Sequence, residues 1–165
     1  MHIPMPMQAP NDLPSIRTAS LDDVSRIRAI ARAAYAKYVP RIGREPAPMA
    51  ADYQGEVSAH RVVVIDMDGS VSGYMVAWPE ADAYFIDNIG VEPDAQGKGL
   101  GRRLIQHAAA EADRLRLPAL RLYTNAAMTE NLSMYAYLGF VETHRVAEKG
   151  FNRIYMRLGL PEKRR

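Results

Sequence analysis

Cysteine is absent from the 165-residue sequence, which excludes a thiol nucleophile, a disulfide framework and thiolate zinc sites. Histidine is scarce. His2, His60, His107 and His144 are the full set, and no two stand at metal-ligand spacing, so no metal is expected. Charge of one sign is also missing: 21 Lys and Arg face 19 Asp and Glu, a formal net charge of +2. That balance lacks the basic face or tract of a nucleic-acid binder. No apolar run approaches the ~20 residues of a membrane span. Residues 1–14 (MHIPMPMQAPNDLP) hold four prolines and no apolar core, and read as a mobile tail rather than a signal peptide. These absences leave a cytoplasmic protein, monomer or homodimer, with no nucleic-acid or membrane partner. The length and the 48% hydrophobic content suit one domain with a sizeable core. It is expected at residues 15–160, followed by a basic tail at 161–165.

What is present is a mixed α/β pattern. Ser15–Thr18 reads as a first strand. Ser20 and Asp23 resemble a capping box with Asp in place of Glu. Val24, Ile27, Ala31, Ala34, Tyr35 and Tyr38 then recur at helical spacing, ended by Pro40. Val39–Met49 holds three prolines and a glycine, so a loop without helical continuation is expected, and a short helix follows to about Ser58. The run Arg61–Asp66, a turn at Asp68-Gly69, and the segments Val71–Trp78 and Ala83–Val91 give three strands. Leu100, Leu104, Ile105, Ala108, Ala112 and Leu115 share one helix face, and Pro118 breaks that helix. Ala119–Thr124 is a strand. Thr129 is a candidate cap for a helix ending at Gly139, placed as a C′ glycine. Val141–His144 and Arg153–Arg157 close the chain as strands. The order is β-α-α-β-β-β-α-β-α-β-β.

The most informative stretch is VEPDAQGKGLG, Val91–Gly101, between a strand and a helix. Gly97, Gly99 and Gly101 remove Cβ atoms where a ligand would approach the backbone. The first amides of the next helix have no intrahelical partners and lie at the positive end of its dipole, which suits a pyrophosphate. Lys98, Arg102 and Arg103 add positive charge. The spacing is G-x-G-x-G rather than the dinucleotide fingerprint G-x-G-x-x-G, and Lys98 is followed by Gly99 rather than the Ser or Thr of a Walker loop. A helix start that merely needs small residues is the remaining alternative.

Gln96-Gly97-Lys98-Gly99-Leu100-Gly101 resembles the acyl-CoA-binding motif Q/R-x-x-G-x-G/A of the GNAT superfamily of N-acetyltransferases. Val91 and Pro93 stand where that family often has V-x-P. Tyr135-Ala136-Tyr137-Leu138-Gly139-Phe140 is similar to its late Y-x-x-x-G-F motif. The resemblance covers roughly Ile16 to Leu158. It implies a central mixed, mostly antiparallel sheet with a splayed strand pair, flanked by helices. It also implies acetyl-CoA as co-substrate and a primary amine, on a small molecule or a peptide, as acceptor.

Carried over residue by residue, the resemblance implies that Ile89, Gly90 and Val91 offer a free backbone edge to the pantetheine arm. Gln96 opens the loop, and the amides from Gly97 through Lys98, Gly99, Leu100 and Gly101 to Arg102 hold the pyrophosphate, with Arg102 or Arg103 reaching a phosphate. Tyr135 is implied as general acid toward the leaving thiolate, whereas Tyr137 reads as packing. The family's ligand-binding asparagine falls on Met128 here. Asn131 shares a helix face with Tyr135 and is the preferred substitute, Asn125 the second. Alternation on the strand Tyr84–Val91 puts residues 85, 87, 89 and 91 on one side. Asp87 is the only ionisable member of that set and the expected base, with Asp82 and Glu80 as alternatives. A backbone amide near Ile89 is expected to support the oxyanion. Substrate recognition in the family falls on the first helices and their loop, here Tyr35, Tyr38, Arg41, Arg44 and Glu45. An acyl-CoA sensor on the same fold and a nucleotide-binding module using the glycine loop are the competing readings.

Overall fold

The computed structural model describes residues 13–162, so most of the expected tails (1–14 and 161–165) lies outside the described residues. Seven strands form one sheet in the order β1-β2-β3-β4-β5-β7-β6. They are β1 (Ser15–Thr18), β2 (Val62–Met67), β3 (Ser70–Pro79), β4 (Tyr84–Val91), β5 (Ala119–Asn125), β6 (Val141–Glu148) and β7 (Phe151–Gly159). Only the β4–β5 pair is parallel; every other neighbouring pair is antiparallel. Among the described residues five α-helices accompany them: α1 (Val24–Tyr35), α2 (Val39–Ile42), α3 (Tyr53–Ser58), α4 (Leu100–Arg114) and α5 (Thr129–Tyr137).

The apolar stripe of α4, Leu100, Leu104, Ile105, Ala108 and Ala112, packs on one face of the sheet against Ile65, Met75, Ile86, Leu120, Leu122 and Ile154. The other face takes Ile27, Ile30 and Ala31 of α1 and Val57 of α3 against Val62, Val64, Tyr74 and Val76. Each face is therefore a separate core, as expected when helices cover both sides of a sheet. Hairpins are set by paired left-handed residues: Asp68 (φ 55°) and Gly69 (φ 81°) join β2 to β3, and Lys149 (φ 52°) and Gly150 (φ 79°) join β6 to β7. The second turn carries a lysine in the left-handed region and was not evident in the sequence.

Three local expectations are corrected. Pro40 does not end α1, which stops at Tyr35; it sits in the first turn of α2, where a missing N–H costs nothing. The segment 39–49 is accordingly partly helical, with α2 closed by Gly43 in the left-handed region (φ 83°) and a 3-10 turn at Ala47–Met49. Thr129 is the first residue of α5 rather than its cap; Met128 holds the cap position, and the turn before it is held by Asn125 Oδ1, which accepts from Ala127 N–H at 2.9 Å. Tyr137, expected as packing, is 82% exposed.

Candidate active site

The site begins where two strands part. β4 pairs with β5 only across Tyr84–Ile86 and Leu120–Leu122, so its second half leaves a free edge. Glu92 N–H donates to Ser72 O of β3 at 2.8 Å. By strand alternation, the polar groups of Val91 and Ile89 then point the other way, into the gap. Two side chains meet that edge: Tyr35 Oη donates to Ile89 O at 2.6 Å, and Gln96 Nε2 donates to Val91 O at 3.1 Å. Gln96 thereby pins the glycine loop to the strand it follows. Gly90, between them, has a local reason to lack a side chain: a Cβ there would collide with the Tyr74 ring.

Beyond Gln96 the chain enters α4 through Gly97 (φ 81°) and Gly99 (φ 80°), both in the region glycine alone enters freely. Gly99 is the N-cap, and the first backbone bond of the helix is Arg103 N–H to Gly99 O at 3.0 Å. The amides of Leu100, Gly101 and Arg102 precede that bond and face outward. Beyond the adjoining backbone, no atom of the described residues lies within 4 Å of a Cβ built on Gly97, Gly99 or Gly101. The glycines therefore hold space open toward a cleft of about 430 Å³, lined by Gln96, Gly97, Gly99, Leu100, Gly101 and Arg102 on this side and by Tyr38, Met134 and Tyr135 on the other. Lys98 does not line it. An extended chain with a diphosphate fits this cradle by shape, by exposed donors and by the helix dipole.

A second cavity opens on the far side of the gap, bordered by Pro46–Pro48, Asp87, Asn88, Tyr123, Phe151 and Arg153. Tyr35, Ile89, Asn131 and Tyr135 line both spaces, so these four residues mark the junction. Tyr135 owes its place to the helix end. Phe140 N–H bonds Tyr135 O and Gly139 N–H bonds Ala136 O, both at 3.0 Å, and Gly139 is left-handed (φ 103°). This is a Schellman stop, and the Tyr135–Phe140 ring pair, 5.6 Å apart, is its hydrophobic contact. The Y-x-x-x-G-F spacing is thus the geometry of a helix end that fixes a buried tyrosine at the gap. Burial pushes the Tyr135 hydroxyl well above its ordinary pKa, followed by the nearby Tyr38. Asn131, one turn earlier, donates its amide to Met128 Sδ at 3.6 Å.

Asp87 sits at a β-bulge. Val76 pairs with Asn88 and Ala77 with Ile86, so Asp87 is the extra residue on β4. The bulge breaks the expected alternation: 85, 87, 89 and 91 do not share a face. Ile86, Ile89 and Val91 pack toward α4, while Asn88 turns to Tyr53 on the opposite side. Asp87 reaches that opposite side too, accepting from Asn88 Nδ2 at 3.0 Å and from Tyr123 Oη at 3.4 Å. Asn88 Oδ1 accepts from Tyr53 Oη at 3.3 Å, and the Tyr53 hydroxyl also contacts Tyr74 Oη at 3.0 Å and Pro48 O at 2.5 Å. One connected network therefore links Asp87 to the loop 46–48 and to the buried tyrosines. Glu80 and Asp82 are committed elsewhere, to Arg121 and Arg157.

Arg41 and Arg44 are not brought to either cavity. Arg41 bonds Glu130 at 2.7 Å, and Arg44 stacks on the Phe151 ring at 4.3 Å. They fasten the 39–49 segment to α5 and to β7, while Pro46–Pro48 form the cavity wall. Sequence reasoning missed Tyr123, Asn88, Tyr53 and Arg153, because each belongs to a different strand or helix with no motif of its own. Among the described residues no group of three or more His, Cys, Asp or Glu stands together to hold a metal, and no helix is long and apolar enough to cross a membrane.

Comparison with known proteins agrees with this geometry. The chain is 31% identical over 99 residues to the peptidyl-lysine N-acetyltransferase YjaB of Salmonella typhimurium, covering 60% of this chain and 61% of that one. The chain spans less than two thirds of the length of the curated relatives it matches first. In fold it resembles the ribosomal-protein-S18-alanine N-acetyltransferase of Escherichia coli (TM-score 0.72, 20% identity, 92% of this chain and 96% of that one). It also resembles yncA of Salmonella typhimurium, solved with its cofactor acetyl-CoA (TM-score 0.65, 22% identity, 93% and 97%). The profile of the acetyltransferase (GNAT) domain matches residues 58–142, just over half the chain, a stretch that includes the splayed strand, the glycine loop and Tyr135, and the chain therefore belongs to the GNAT acetyltransferase family.

Proposed function

We propose that the protein transfers an acetyl group directly from acetyl-CoA to a primary amine on a small molecule or peptide. One observation carries the reading: the cleft of glycine-opened amides and the cavity holding Asp87 meet at Tyr35, Ile89, Asn131 and Tyr135. A site for a donor thus adjoins a site for an acceptor. An acyl-CoA sensor needs the first space but not the second. The relatives named for peptidyl-lysine and for an alanine of ribosomal protein bS18 support an amine acceptor.

Bound acetyl-CoA supplies an activated thioester carbonyl and a thiolate leaving group. The amides of Leu100, Gly101 and Arg102, with the Arg102 guanidinium, hold the diphosphate at the positive end of α4. The Ile89 amide supports the carbonyl oxygen as negative charge builds. Asp87 withdraws the proton of the incoming amine, directly or through water. That help is needed, because an alkylamine with pKa ~10.4 is neutral in about one molecule per thousand at pH 7. Tyr135 keeps its proton at neutral pH and offers a hydrogen bond toward the departing sulfur. Its raised pKa makes complete transfer less favourable, so its contribution is a hydrogen bond that strengthens with the charge.

Calorimetric and thermal-shift titrations with acetyl-CoA, CoA, NAD and ATP test the donor side. Acetyl-CoA at ~100-fold its Kd should stabilise the fold by about 2.7 kcal/mol, and NAD and ATP should do nothing. CoA release from an amine panel tests the acceptor side. Tight acetyl-CoA binding with no release from any amine would leave the sensor reading; no binding at millimolar acetyl-CoA would remove both.

A further inference from the structure

Among the described residues, Arg153 is the one cation that lines the acceptor cavity. Only 8% of the residue is exposed, yet its bonding is incomplete. Nη1 donates to Glu148 at 3.2 Å, and the guanidinium lies 4.3 Å from the Tyr123 ring centroid and 5.7 Å from that of Phe151. Nε and Nη2 bond no group among the described residues. They are also not sealed away, since Glu56 Oε2 is the one buried side-chain polar atom without a partner among those residues. Arg153 lines the cavity, which an unbonded edge of its guanidinium is free to serve. Nε and Nη2 form one edge of the planar group, the edge that takes a carboxylate through two parallel hydrogen bonds. A nearly buried guanidinium with that edge unmet is costly unless an anion arrives to fill it.

The rest of the cavity says where the amine sits. Tyr123 lies between the two charged groups: its hydroxyl is 3.4 Å from Asp87 and its ring carries the Arg153 guanidinium. Asp87 and Arg153 both line this cavity, which shares Tyr35, Ile89, Asn131 and Tyr135 with the donor cleft, and Arg153 lies beside Phe151. One small molecule can therefore span the pair, with its amine at Asp87 and its anion at Arg153. Glu148 does not compete for the open edge. It occupies Nη1 and accepts from the Tyr155 hydroxyl, which orients the guanidinium from behind.

We propose that the acceptor is a compact amino acid or amino-acid-like molecule, whose carboxylate is gripped by the Nε/Nη2 edge of Arg153 while its amine faces Asp87. The inference rests on the acetyltransferase reading. It narrows the acceptor from any primary amine to one that carries its own carboxylate, and it disfavours an exposed protein lysine.

The test compares each of the twenty amino acids with its carboxamide, by CoA release, in the wild-type protein. The acid is expected to exceed the amide in kcat/KM by about 10- to 100-fold. Arg153→Gln should erase that preference while acetyl-CoA affinity stays the same, since Arg153 does not line the donor cleft. Arg153→Lys, which keeps the charge and loses the fork, should retain a few-fold preference and serves if the glutamine variant does not fold. In parallel, calorimetry with N-acetyl amino acids and their amides, with and without CoA, reads the cavity without turnover. Equal rates and equal binding for acid and amide would overturn the proposal. So would an acid preference that survives Arg153→Gln. Carboxylate binding that depends on Arg153 in a protein that does not bind acetyl-CoA would refute the acetyltransferase reading and leave the carboxylate site standing.

Discussion

The two halves of the site follow opposite plans. The donor cleft is built from backbone: consecutive amides of residues 99–102, the free edge of β4, and three glycines whose use is to contribute nothing. The acceptor cavity is built from side chains: Asp87 and Asn88 of β4 and Tyr123 of β5, joined to the 46–48 wall by one hydrogen-bond network, with Phe151 and Arg153 of β7 beside them. A backbone site tolerates most side-chain changes but fails when a Cβ is added. A side-chain site fails when a single hydroxyl or guanidinium is removed, and for the same reason its specificity is free to change.

The sharpest way to break this contrast is to fill the cleft. Gly101 has no left-handed φ and no neighbour within 4 Å of its would-be Cβ, so Gly101→Val should fold normally, since valine is no worse a helix former than glycine. It should weaken acetyl-CoA by at least ~100-fold. Gly99→Val should do the same with added strain from its left-handed φ. Calorimetry and circular dichroism on the same samples separate lost binding from lost fold; unchanged binding would make the loop merely structural.

At the junction, Tyr135→Phe should retain acetyl-CoA binding and lower turnover by about 10²-fold. Turnover within a factor of two of wild type would reduce Tyr135 to packing. Asp87→Asn should lower the rate and flatten the dependence on the base's ionisation; a pH–rate profile identical to wild type would move the base elsewhere.

On the acceptor side, Tyr53→Phe deletes the hydroxyl shared by Pro48 O, Tyr74 and Asn88. The loop wall and Asp87 lose a common anchor. Acceptor KM should rise about 5- to 10-fold, the fold should lose about 1–2 kcal/mol, and acetyl-CoA Kd should not move. A rise in Kd with constant KM would show that the network serves the donor instead. Arg41→Ala should have a smaller effect. Its pair with Glu130 is solvent-exposed and contributes little, and both constants should stay within about threefold, because the residue lines neither space.

The smallest effect lies outside the site. Arg17 holds the Asp23 carboxyl down to about 2 from its ordinary 3.8, chiefly through side-chain hydrogen bonds. The folded value is the lower one, so the unfolded chain binds more protons between them. The contribution is then fully present above about pH 4 and fades as pH falls toward 2. Urea titrations should show Arg17→Gln destabilising by no more than ~1 kcal/mol at pH 7, with the difference shrinking near pH 2.

What the sequence alone determined is what is local. Helical periodicity marked α1 and α4, the Asp68-Gly69 dipeptide marked a turn, and Gln96–Gly101 and Tyr135–Phe140 marked a glycine loop entering one helix and the stop of another, because each is made within a few consecutive residues. Pro40 misled because a proline says where a helix cannot continue but not that one can begin there. Asp87 was found but aimed wrongly, because one bulge residue reverses the alternation and pairing with β3 decides where the bulge falls. Arg153, Tyr123 and Asn88 were invisible for a different reason. They meet only when β4, β5 and β7 lie side by side, and that adjacency is fixed by long-range strand order rather than by any spacing along the chain.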